Sequence, residues 1–116
     1  VNVQSVIGFS VLKGFNTLEA DVLSLVNRDN YKIISDYCCG GYAKLNNNLI
    51  NFVNNFYKNQ NISLDVVYTG KMMLGIMDLV DKDYFPKGSS ILAVHTGGLQ
   101  GNKGMNERFP YNFPIN

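Results

Sequence analysis

Two short segments carry the residues most able to do chemistry, Tyr68-Thr69-Gly70-Lys71 within LDVVYTGK and His95-Thr96-Gly97-Gly98 within VHTGGLQG. Thr69 stands where an apolar segment turns into a helix, so it can cap that helix, and backbone N–H groups at such a point favour anions. A plain helix cap accounts for the local sequence equally well. The segment is not a P-loop, because the first glycine of GxxxxGK[ST] is missing and Met72 stands where Ser or Thr belongs. The second segment follows an apolar run, at the place where open α/β sheets put their ligands, although a Gly-Gly pair after a strand is more often simply a turn. His95 has no partner nearby in sequence, and Lys71 reads as a solvated lysine or a phosphate contact rather than as an amine nucleophile. Gly40-Gly41-Tyr42 forms a third candidate, a turn presenting an aromatic hydroxyl.

Periodicity supplies the elements that must position these residues. Val6 to Leu12 reads as a buried strand with its exit turn at Lys13-Gly14. Leu18, Val22, Leu25 and Val26 recur at helical spacing, with Asn16 or Thr17 as N-cap. Tyr31 to Ser35 reads as a second strand, followed by a polar loop over Asp36 to Lys44. Leu45, Leu49, Phe52, Val53 and Phe56 mark an amphipathic helix whose other face is mostly asparagine, a mediocre helix former. Met72, Met73, Ile76, Met77, Leu79 and Val80 predict a well-buried third helix. Ser90 to His95 reads as a third strand, and the stretch from Asn102 to Asn116 as irregular. Strands alternating with helices imply an α/β architecture, three layers (αβα) around a mainly parallel sheet. A sheet this thin reads as a piece of a larger one.

Composition narrows the function. The 116 residues are 46% hydrophobic and 16% charged, with a net charge of +1, which suits one globular domain. No basic cluster suggests nucleic acid, no apolar run approaches a membrane span, and the first residues lack the pattern of a signal peptide. Cys38 and Cys39 are adjacent and poorly placed to pair with each other, and a single histidine without CxxC spacing argues against zinc. Free thiols point to a reducing cytoplasm. The chain opens on Val1, so the natural polypeptide is expected to begin earlier.

Taken in order, IGFSVLKG (7–14), DYCCGGYAK (36–44), VYTGKMM (67–73) and FPKGSSILAVHTGGLQG (85–101) resemble the C-terminal part of the 1-aminocyclopropane-1-carboxylate deaminase and D-cysteine desulfhydrase family. The resemblance spans about Val6 to Asn106. It implies the tryptophan-synthase-β-like fold, fold type II of the pyridoxal-phosphate enzymes, with residues 1–116 forming the C-terminal part of the larger domain. It implies pyridoxal 5'-phosphate as cofactor, a small amino acid as substrate and a homodimer for the full-length protein. Tyr42 and Tyr68 resemble the family's two active-site tyrosines. Thr96 resembles the residue beside the pyridine nitrogen, Gly97 the adjacent backbone contact, and Thr69 a neighbour of the same ring edge.

Thr69 stands where the deaminases carry glutamate, VYTGK in place of VYEGK, and Thr96 where they carry leucine. A hydroxyl beside the pyridine nitrogen stabilises its protonated form less than a carboxylate, so the ring is a weaker electron sink. That suits β-elimination of a good leaving group better than opening of a cyclopropane. Both positions favour the desulfhydrase branch, which takes D-cysteine to pyruvate, hydrogen sulfide and ammonia. The deaminase reaction, another β-elimination, or a non-catalytic remnant of the fold are the alternatives. Val66 departs from the usual proline of the family's L-D/E-P-V-Y. The family's cofactor-binding lysine, substrate-site serine and glycine-rich phosphate loop belong to its N-terminal portion. The 116 residues alone are therefore expected to be inactive.

Overall fold

A computed structural model describes residues 4–14 and 17–116. Its elements run β1 (Val6–Phe9), α1 (Leu18–Leu25), β2 (Tyr31–Ile34), α2 (Asn47–Gln60), α3 (Thr69–Asp81) and α4 (Leu99–Arg108). The α/β architecture with a parallel sheet matches the expectation. β1 and β2 pair in parallel, Val6 opposite Tyr31 and Phe9 opposite Ile34, and α1 makes the crossover that parallel neighbours require. Asn16, one of the two expected caps of α1, lies outside the described residues. Thr17, the other, makes no side-chain cap bond.

α2 shows how an asparagine-rich helix holds together. Asn46 caps its start, Oδ1 accepting from the Leu49 amide at 2.8 Å, and Asn61 ends it in the left-handed conformation at φ 55°, which asparagine tolerates. The apolar stripe supplies the rest. Leu49 and Val53 are fully buried and form the core with Leu64, Val66 and Phe113. α3 packs on β1 at Gly75, where an added Cβ would sit 2.5 Å from Phe9 Cε1 and 2.9 Å from Tyr37 Cδ2. Only a glycine lets this helix approach so closely.

Two expectations are corrected. Ser90 to His95 forms no strand, because none of the described residues offers it a paired neighbour, and Leu92 is 88% exposed. The tail is not irregular throughout: α4 occupies Leu99–Arg108, launched from Gly98 at φ 92°. Its asparagines act as connectors. Asn106 exchanges two hydrogen bonds with the backbone of Phe113, at 2.8 and 3.0 Å. This mimics a strand pairing and ties the last residues onto the helix. No helix among the described residues is long and apolar enough to cross a membrane.

Candidate functional site

Asp65 organises the start of α3. The Val67 and Tyr68 amides donate to its Oδ2 at 2.9 and 2.7 Å, and the Thr69 amide donates to Oδ1 at 2.8 Å. The Thr69 hydroxyl also donates to Oδ1, at 2.5 Å, and accepts from the Asp65 amide at 2.9 Å. Asp65 and Thr69 are 1% and 2% exposed. The anion-attracting amides at this helix start are therefore filled by the chain's own carboxylate. Thr69 keeps one hydroxyl lone pair unused.

The second motif lands on the same carboxylate. A Cβ at Gly98 would lie 3.1 Å from Asp65 Cγ, so the turn Gly97-Gly98, with φ of 88° and 92°, rides directly over the α3 start. His95 fastens the turn from its other side. Its Nδ1 accepts from the Gly97 amide at 3.0 Å, which leaves Nε2 as the protonated nitrogen donating to the Ser63 carbonyl at 2.8 Å. With both ring nitrogens committed to backbone, the histidine is a stitch between segments. Thr96 is exposed beside it.

Asn102, on α4, completes the frame. Fully buried, it accepts from the Val66 amide at 2.9 Å and donates to the Leu64 carbonyl at 2.9 Å and the Pro114 carbonyl at 2.8 Å. It supplies the polar partners that a neighbouring strand would have given the Leu64–Val66 backbone. Sequence reasoning missed both Asp65 and Asn102. The signal for Asp65 was an acidic residue two and three positions before Val67 and Tyr68, the spacing at which a capping side chain accepts backbone amides.

Lys71 is neither solvated nor aimed at a ligand. It is 1% exposed, and Nζ donates at 2.8 Å to the carbonyls of both Cys38 and Gly41. Burial lowers its pKa, the nearby Cys39, Cys38 and Asp65 opposing that shift. The residue after Gly41 is Tyr42, so α3 holds the tyrosine-bearing loop by a buried ammonium. Burial raises the Cys39 pKa, the reverse of an activated thiolate.

Tyr42 and Tyr68 meet as a result. The Tyr68 hydroxyl donates to that of Tyr42 at 3.2 Å, and the ring centroids lie 6.1 Å apart. That hydrogen bond raises the Tyr68 pKa. Both rings are about half exposed, forming an aromatic wall open to solvent. A cavity of about 560 Å³ between α1 and the two strands reaches none of these residues. No metal-binding cluster of acidic, histidine and cysteine side chains occurs among the described residues.

No protein-family model matches the chain. It is 34% identical over 107 residues to a putative 1-aminocyclopropane-1-carboxylate deaminase of Pyrococcus abyssi, an alignment covering 84% of this chain and 32% of the relative. It is 34% identical over 79 residues to a 1-aminocyclopropane-1-carboxylate deaminase of Rhizobium radiobacter, covering 68% of this chain and 23% of the relative. The chain belongs to the 1-aminocyclopropane-1-carboxylate deaminase and D-cysteine desulfhydrase family. It spans a third or less of the length of these two relatives. The crystal structure of an ACC deaminase homologue superposes with a TM-score of 0.73, at 24% identity, over 88% of this chain and 34% of that one. That likeness shows the fold: this chain adopts the α/β arrangement of about a third of that protein. Within this family member, the aromatic wall, the Asp65-capped helix and the Gly97-Gly98 turn form one continuous frame.

Proposed function

We propose that this chain forms one wall of the cofactor and substrate site of a pyridoxal-phosphate enzyme, and that the complete protein eliminates hydrogen sulfide from D-cysteine. The residues present suit the ring edge of such a cofactor. Thr96 is exposed and its hydroxyl has no protein partner among the described residues, and Tyr42 and Tyr68 stand together in solvent. When bound, the cofactor supplies an electron sink for the α-carbon of the amino acid. Tyr42 and Tyr68 would shape the substrate side, Thr96 and the Gly97 backbone would border the ring nitrogen, and Thr69 would stand beside them. Lys71 is spent on the Cys38 and Gly41 carbonyls, so the role of this chain is to orient and enclose.

The observation that carries the branch is the neutral hydroxyl at position 69. Asp65, the carboxylate nearest it, has both oxygens committed to backbone and hydroxyl donors of the helix start. Among the described residues, Asp65 therefore offers no free carboxylate at that edge to hold a protonated ring nitrogen. The names of the relatives favour a second reading, deamination of 1-aminocyclopropane-1-carboxylate. Assaying the complete protein on both amino acids separates the two. Sulfide release from D-cysteine with little turnover of the cyclopropane supports the first reading, and the reverse preference overturns it.

A further inference from the structure

A second cavity, about 390 Å³, is lined by Tyr42, Lys44, Leu45, Met105, Arg108, Phe109 and Tyr111 among others. This volume falls at the lower end of the range that takes small ligands. Its charge is one-sided. Lys44 and Arg108 line it without any acidic residue, and neither forms an ion pair among the described residues. Arg108 ends α4, its guanidinium 5.4 Å from the Phe109 ring centroid. Because Tyr68 donates to Tyr42, the Tyr42 hydroxyl proton stays available to a further acceptor. The remaining walls are apolar: Leu45, Met105 and Tyr111 also pack against the core.

Cations without acidic partners, a spare phenolic donor and an apolar floor select a ligand with one anionic end and a flat apolar body. A planar carboxylate matches both halves, since a guanidinium can receive it in two parallel hydrogen bonds while the body covers Leu45 and Met105. We infer that this cavity is a binding site for small aromatic carboxylates, sharing Tyr42 with the proposed substrate wall. The inference goes beyond the proposed reaction and does not depend on its outcome.

Titration calorimetry of the purified complete protein with 3-phenylpropionate tests it. Saturable one-site binding is expected, at least tenfold weaker in Arg108→Gln and in Lys44→Gln and largely kept in Arg108→Lys. Circular dichroism should show that each variant folds. Equal affinity for the neutral 3-phenylpropanamide would reduce the cavity to an apolar groove, and equal affinity for acetate would reduce it to a surface charge effect. Either result, or unaltered binding by both glutamine variants, overturns the site.

Discussion

Lys71 holds Gly41 through a 2.8 Å hydrogen bond from its buried ammonium to the carbonyl that immediately precedes Tyr42. The same ammonium binds the Cys38 carbonyl, so one side chain of α3 fixes both ends of the 38–41 turn. Tyr68, three residues before Lys71, then meets Tyr42. The aromatic wall is thus set by a buried charge.

Lys71→Met should lower stability by about 2–3 kcal/mol. A hydrogen bond from a charged donor is worth roughly 1.5–3 kcal/mol, and the variant recovers part of the cost of burying an ion. Urea unfolding measures this. An unchanged midpoint would mean that the turn is held by something else.

Asp65→Ala should be worse than an ordinary cap loss, which costs about 1 kcal/mol. Three amides and the Thr69 hydroxyl lose their acceptor together, and the Gly97-Gly98 turn loses the group it rests on. A drop of about 2 kcal/mol or more is expected. Asp65→Asn should fall between, because its single carbonyl oxygen can serve only part of the set. Equal losses for the two variants would contradict the assignment.

Tyr42→Phe should bring the Tyr68 phenol back toward its ordinary pKa near 10. The sign follows from the donor direction: Tyr68 gives its proton to Tyr42, which stabilises the protonated form. Its pKa is therefore raised in the folded state. Whatever stability this bond contributes is present below pH 10 and fades as pH rises through the shifted value. An absorbance titration at the phenolate band reads the change, and an identical curve in the variant would show that the pair is not coupled.

The sequence made the helices legible because their apolar stripes are local and periodic. Leu49 and Val53 announced α2, and Ile76 and Leu79 announced α3. Tyr42 and Tyr68 could be paired only through a family resemblance, since the side chain joining their segments, Lys71, looks from its neighbours like any exposed lysine. Ser90 to His95 misled because its apolar residues suit a strand, whereas a strand also needs a neighbour. α4 escaped notice because its two glycines and two asparagines hide a helix whose role is to supply Asn102 and Asn106. Such amide-to-backbone bonds leave no periodic trace.

Asn102→Leu should cost about 3 kcal/mol. The shape is nearly kept, but the Val66 amide and the Leu64 carbonyl stay buried without partners, at roughly 1–3 kcal/mol for each such group. Asn102→Asp can still accept from Val66 but cannot donate to Leu64 or Pro114, so it should not rescue. Thermal unfolding of the pair checks both statements, and a stable aspartate variant would show that the two donated bonds matter little.

Gly75→Ala should destabilise although alanine is the better helix former by roughly 0.5–1 kcal/mol. The new methyl would press on Phe9 and Tyr37, and overpacking of this kind costs about 1–3 kcal/mol. The strain should also reach the loop, because Tyr37 begins the path to Tyr42 and its hydroxyl donates to Asp78 at 2.7 Å. Phe9→Leu removes the ring that the methyl meets most closely. In the double variant the loss should therefore be smaller than the sum of the two single losses, as expected for residues in contact. Strict additivity in urea unfolding would show that α3 shifts freely on β1, and that the glycine is not what sets their separation.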